Sequence, residues 1–400
     1  METLTLTEVA RAPAALPLFV APTATRRAVA TLFLVNGVLF STWVSRIPAI
    51  EAGRGLTHAT LGLYLFVLAL GAMISMPLTG MLISRFGSDR VCRFALLIYA
   101  GMLPLLALAP SALTFALALF GFGIGHGSLD IAMNAQAVAV EKAYRRPIMS
   151  SFHALWSTGG LTGAALGGGI AALGLTPATH FALMAALLGV VGWTTFRDLL
   201  PFEAPGEIAD LEKQALFPLP SRGLLALGAI ALCIMMGEGA MADWSGLYLR
   251  KILTTSEGFA AAGYAAFSIA MAGGRFFGDK LSGHFGPVAL VRGSTSFALF
   301  GLLLILLAPW SSVTLVGFAC VGLGFATIIP QVFSAAGHRS GVDAGTALAS
   351  VATLGYFGFL LGPPIIGFAA GVVGLHAAMG LLLASTALAV ALAGSVRSAT

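Results

Sequence analysis

The sequence predicts an all-α membrane protein of twelve transmembrane helices arranged as two pseudo-symmetric six-helix bundles. Three observations carry that prediction. Of the 400 residues, 58% are hydrophobic and only 9% charged, with a mean hydropathy of +0.95, against about 25% charged in a typical soluble domain. No water-soluble core could absorb that much apolar surface. The chain also repeats itself: Phe86-Gly87 recurs as Phe285-Gly286, Gly123-x-Gly125 as Gly322-x-Gly324, and Gly159-x3-Gly163 as Gly358-x3-Gly362, each displaced by 199 residues. Finally, each half holds about six apolar runs near 20 residues, the length that crosses a hydrocarbon layer.

Taken in order, the spans fall near 27–50, 58–84, 91–109, 111–141, 148–173, 177–197, 222–250, 257–282, 287–308, 311–337, 342–372 and 374–394. Residues 1–26 precede the first span; Pro13, Pro17 and Pro22 interrupt their apolar patch, so they read as a cytoplasmic tail and not as a signal peptide. The first bundle covers 27–197. Residues 198–221, with Pro201, Pro205, Pro218 and Pro220 around Glu203, Glu207, Asp210, Glu212 and Lys213, form the long polar interruption expected of a cytoplasmic linker. The second bundle covers 222–396.

Charge placement sets orientation. With both termini in the cytoplasm, 17 of the 21 Lys and Arg face that side, and only Arg46, Arg54, Arg250 and Lys251 face the other. The positive-inside rule favours this arrangement. The formal charge of +5 is thereby a topology signal and not a nucleic-acid signal, and no nucleic-acid partner is expected. Cys92, Cys233 and Cys320 lie far apart in apolar runs, with no disulfide or metal spacing, so neither metal nor cofactor is expected. The alternating glycines Gly121, Gly123, Gly125 and Gly127 lack the dinucleotide spacing and follow no strand; they read as a close helix contact.

Polar groups at membrane depth must face a cavity or a partner, which singles out a short set of candidates. Asp130 lies about 19 residues into span 4, past the midplane, with His126 and Asn134 on the same helical face at i−4 and i+4. A carboxylate there costs roughly 2.5–3.5 kcal/mol on the insertion scale, so the residue is a candidate proton carrier. His126 beside it, Glu238 between Gly237 and Gly239 near the middle of span 7, and His153 in span 5 are further proton-coupling candidates. Candidate substrate contacts are Asn36, Trp43 and Arg46 in span 1, Asn134, Trp156 in span 5, Gln331 in span 10 and Tyr356, combining aromatic faces with directed hydrogen bonds. Arg275 and Asp279, four apart in span 8, read as a structural ion pair.

Four segments carry a family resemblance: Trp43-Val44-Ser45-Arg46-Ile47-Pro48-Ala49-Ile50, Gly80-Met81-Leu82-Ile83-Ser84-Arg85-Phe86-Gly87, Asp130-Ile131-Ala132-Met133-Asn134-Ala135-Gln136, and Ser150-Ser151-Phe152-His153-Ala154-Leu155-Trp156. The chain resembles the major facilitator superfamily, more narrowly its bacterial YbjJ-like branch, and is distantly similar to the fucose permeases. The resemblance implies a central cavity lined mainly by spans 1, 4, 7 and 10, with spans 3, 6, 9 and 12 toward lipid. It also implies that Asp130 occupies the slot of an acid associated with proton-coupled sugar transport. Two departures stand out. Span 1 has no acid where the fucose permeases have one, and Ser84 stands where the superfamily loop motif expects an acid, with Asp89 and Arg90 nearby as substitutes.

The expected function is secondary active transport of a small polar organic solute, sugar-like, across the bacterial inner membrane by proton-coupled alternating access. A proton-antiport exporter of drugs or metabolites is the alternative, and a non-transporting membrane sensor a more distant one. No nucleophile–base–orienter set points to an enzyme. The expected partners are the solute, protons and the bilayer, with the protein a monomer.

Overall fold

The computed structural model describes residues 23–56, 58–201, 222–255 and 257–397. The expected tail up to residue 22 and the linker residues 202–221 lie outside them. Every regular element among the described residues is helical. The first half holds α1 (Thr23–Arg54), α2 (His58–Phe86), α3 (Ser88–Leu108), α4 (Ala112–Tyr144), α5 (Met149–Ala172) and α6 (Pro177–Thr195). The second holds α7 (Arg222–Lys251), α8 (Glu257–Phe285), α9 (Pro287–Leu307), α10 (Ser311–Phe325), α11 (Ile328–Gly337), α12 (Ala344–Val373) and α13 (Leu375–Leu392).

Local chemistry sets several of these boundaries. Ser111 and Thr114 form a capping box at the start of α4. The Thr176 hydroxyl accepts from the Thr179 N–H with Pro177 in the first turn of α6. Gly87 and Gly286 carry φ of 89° and 75° and begin α3 and α9, so the repeated Phe-Gly marks a turn that needs a residue without Cβ. The tenth span is broken: α10 ends at Phe325 and a new helix starts at Ile328. Pro330 explains this, because its ring would clash with the Ala326 carbonyl in a continuous helix but is tolerated in the first turn of a new one.

The repeat is visible as packing. A Cβ on Gly123 would collide with the Leu68 carbonyl of α2, and one on Gly322 with the Phe267 carbonyl of α8. In the same way Gly159 abuts the Leu34 carbonyl of α1, and Gly358 the Leu232 carbonyl of α7. The repeated glycines are thus the places where helix backbones touch, so the 199-residue echo preserves contact partners as well as letters.

Among the described residues, ten segments are long and apolar enough to cross a membrane, with Ser311–Gly337 counted once. The two other long helices, α5 and α8, are 24 and 29 residues and correspond in order to the expected fifth and eighth spans. They are the more polar ones, bearing Ser150, Ser151, His153 and Ser157, and Arg275, Asp279 and Lys280. They pack against each other across the two halves, as α2 does against α12. Ser151, Ser157, Arg275 and Asp279 meet at the seam between halves, Ser151 with Asp279 and Ser157 with Arg275.

These cross-half contacts gather at one end, which carries Arg85, Arg90, Lys142, Arg145, Arg146 and Arg339 and is termed the basic end below. There Gly80 abuts Gly345 and Ala349, Gly278 abuts Ser150, and Gly337 abuts Val138. The Asp279 carboxylate accepts from the Ser151 N–H at 3.0 Å.

Candidate functional site

Charged and polar side chains from both halves converge around Asp130. The Asp130 carboxyl on α4 is half-buried; the Asn134 amide donates to the Asp130 carbonyl at 2.8 Å and to its Oδ1 at 3.3 Å. From the other half, the Tyr356 phenol on α12 faces Asp130 and lies 3.4 Å from His126 Nε2. The His126 ring stacks on Phe40 with centroids 4.9 Å apart and tilts against Tyr99 at 5.4 Å. His126, Asp130 and Asn134 do share a face, and Tyr356 closes it from across the seam.

A second group lies on α1 and α5. The Trp156 indole N–H donates to the Asn36 side-chain oxygen at 3.1 Å, leaving the Asn36 amide nitrogen without a partner among the described residues. His153, one turn before, is buried between the edges of Phe33 at 5.4 Å and Phe333 at 5.9 Å. Phe33 belongs to the first half and Phe333 to the second, so this histidine is packed into the interface between them.

Glu238 is half-buried on α7, and the space freed by Gly237 is filled by the Phe325 ring. Facing Glu238 are Arg275 of α8 and Tyr356. Arg275 is buried and donates from Nη1 to the Ser157 hydroxyl of α5 at 2.6 Å. This overturns the expected Arg275–Asp279 pair: although four residues apart, the arginine reaches to Ser157 and the aspartate to Ser151, each across the seam. The cross-half reach of Arg275 to Ser157 was missed in the sequence, where proximity along one helix was the only visible signal.

Three expected substrate contacts are engaged elsewhere in this structure. Trp43 is 1% exposed, enclosed by Phe115, Phe122 and Phe181 with centroids 6.3–6.5 Å away, so it packs inside the first half. Arg46, 4% exposed, donates to the Leu175 carbonyl at 2.5 Å and ties α1 to the α5–α6 connection. Gln331 accepts from the Ser282 hydroxyl at 2.8 Å and lines a pocket of about 480 Å³ at the basic end, together with Glu141, Lys142 and Ser334.

That pocket exposes a second residue missed in the sequence. Glu141, at the end of α4, accepts from the Ile148 and Met149 N–H groups, each at 2.9 Å, and from the Ser334 hydroxyl of α11. Its carboxylate closes the turn into α5 and joins the halves at once. No cluster of three or more His, Cys, Asp or Glu able to hold a metal occurs among the described residues.

Two repeat-related helical halves, closed on each other at one end around buried polar groups, define the architecture of a membrane transporter. The sequence pattern of the Major Facilitator Superfamily matches residues 28–363, and the chain belongs to that family. It is 40% identical over 369 residues to the uncharacterized transporter y4wD of Sinorhizobium fredii, covering 90% of this chain and 97% of that one. It is 35% identical over 357 residues to the membrane protein MosC of Rhizobium meliloti, covering 89% and 86%. Among solved structures, the FucP transporter in the outward conformation superposes with a TM-score of 0.74 at 17% identity, over 93% of this chain and 98% of that one. The human organic anion transporter MFSD10 does so with a TM-score of 0.71 at 15% identity, over 93% and 99%. These two likenesses establish the fold. As a member of this transporter family, the protein is not an enzyme.

Proposed function

We propose that the protein is a proton-coupled symporter for a small polar, sugar-like solute, working by alternating access in the bacterial inner membrane with both termini cytoplasmic and Asp130 as the proton carrier. The observation that carries this reading is the Asp130 carboxyl held beside Tyr356 of the opposite half. A proton exchanged there is felt by both halves, which is what coupling to a rocking motion requires. His126 completes the hydrogen-bonding neighbourhood of Tyr356. Asn36, Asn134 and Trp156 supply donors, acceptors and an aromatic face for the solute. With the basic end cytoplasmic, the closed seam makes this an outward-facing arrangement. The energetics suffice: one proton moving down 100 mV contributes about 2.3 kcal/mol, enough for roughly fifty-fold accumulation.

The test is Asp130→Asn in proteoliposomes. The variant is expected to fold and to retain solute counterflow while losing uptake driven by a pH gradient. Wild-type pH-driven uptake by the variant removes Asp130 from the mechanism, and acceleration by the opposite pH gradient replaces symport with antiport.

A further inference from the structure

Arg275 is an arginine in the inner third of α8, only 6% exposed. One of its nitrogens is used by Ser157, but its Nε has no hydrogen-bond partner among the described residues. Glu238 faces it from α7, and Glu238 Oε1 is likewise buried without a partner. The two side chains interact electrostatically, yet no ion-pair contact joins them. An unused donor and an unused acceptor of opposite charge therefore lie on the two packed helices α7 and α8, and buried polar groups left unmatched are costly.

The surrounding groups limit what can bridge them. Tyr356 of α12 faces Glu238, Tyr264 of α8 and His153 of α5 face Arg275, and Asp279 is already engaged by the start of α5. A solute carboxylate would match Arg275 but add a second negative charge beside Glu238. An ammonium would match Glu238 but crowd the guanidinium. A hydroxyl both donates and accepts, so it satisfies Oε1 and Nε together without adding charge.

We propose that Glu238 and Arg275 form a subsite for one hydroxyl of the solute and, by balancing each other, restrict the site to uncharged polyhydroxylated molecules. This rests on the reading that the cavity carries a small polar solute, and it is independent of which residue carries the proton.

The experiment is a thermal-shift comparison on the purified full chain with D-galactose, L-fucose and D-mannitol as uncharged probes, and D-galacturonate and D-glucosamine as charged ones. The wild type is expected to respond to at least one uncharged probe and to neither charged one. Glu238→Gln leaves the arginine uncompensated, so affinity for the uncharged probe should fall about ten-fold or more while a galacturonate response appears. Arg275→Gln should give the mirror result with glucosamine, and Arg275→Lys should keep the uncharged preference. The double variant E238Q/R275Q removes both charges and should bind the uncharged probe better than either single variant. A wild type that prefers a charged probe, or one that responds to none of the five, overturns the solute class. A double variant whose ligand-free loss of Tm equals the sum of the two single losses overturns the pairing. Neither result touches the Asp130 assignment, which fails only if Asp130→Asn keeps pH-driven uptake.

Discussion

The Ser84 hydroxyl donates to Asp343 Oδ2 at 2.8 Å across the two halves. Asp343 is at the same time the cap of α12, accepting from the Thr346 N–H at 3.0 Å. The serine stands where the superfamily motif expects an acid, and the acid that meets it comes from the other half. Of the nearby residues expected to substitute, Asp89 pairs with Arg93 at 3.6 Å within α3. Removing Asp343 should cost about 1 kcal/mol as a cap and roughly 1.5–3 kcal/mol as a charged hydrogen-bond acceptor, and should loosen the seam at the basic end. In a cysteine-free background, a cysteine at Gln331 is expected to react faster with a small thiol reagent when Asp343→Ala is present, with Ser84→Ala giving a smaller effect. Equal labelling rates would show that this contact does not hold the seam closed.

The repeated glycines make a paired prediction. Gly159→Leu and Gly358→Leu each push a side chain into a facing carbonyl, of Leu34 and Leu232 respectively, and overpacking of this kind costs about 1–3 kcal/mol or more. Both variants should melt well below wild type, whereas Gly160→Ala, whose new methyl meets nothing within 4 Å, should match it. Thermal unfolding of the three variants checks this, and a tolerated leucine at Gly159 would contradict the close α1–α5 packing.

The second group on α1 and α5 predicts protection. Trp156→Cys should be shielded by whichever solute the thermal-shift screen returns, because its indole meets Asn36 where solute contact is proposed. A cysteine at Leu303, partly exposed on α9, should label at the same rate with and without solute. Unchanged labelling at position 156 would move the binding site away from α5.

His126 separates packing from proton coupling. Its ring stacks on Phe40 and tilts against Tyr99, while one nitrogen reaches Tyr356. His126→Gln can still hydrogen-bond the phenol but loses the ring contacts, worth about 0.5–1.5 kcal/mol per aromatic pair. Lower stability with an unchanged pH profile of initial uptake between pH 5 and pH 8 is the result expected if the ring only supports Tyr356. A profile displaced by about one unit would mean that His126 and Asp130 titrate together.

The legibility of this protein divides at the scale of one helix. Apolar runs and the 199-residue echo are properties of contiguous sequence, because span length is set within a single run of about 20 residues, whereas the break of the tenth span before Pro330 was not anticipated. The shared face of His126, Asp130 and Asn134 was readable for the same reason, since helical period alone places them together. The rotation of each helix about its own axis was not readable. Trp43 and Trp156 looked alike as aromatic candidates, and only packing turned Trp43 into the first half while leaving Trp156 beside Asn36. Arg275 and Asp279 looked paired because they lie one turn apart, yet each found a serine of α5. Contacts between residues separated by 118 and 259 positions, as in Arg275–Ser157 and Ser84–Asp343, depend on how two whole bundles dock. The sequence by itself determined the apolar helices, the duplication and the shared helical face of His126, Asp130 and Asn134; the tertiary structure decided which charges face each other across the seam, because helix docking, unlike hydropathy, is set by many weak contacts summed over the entire interface.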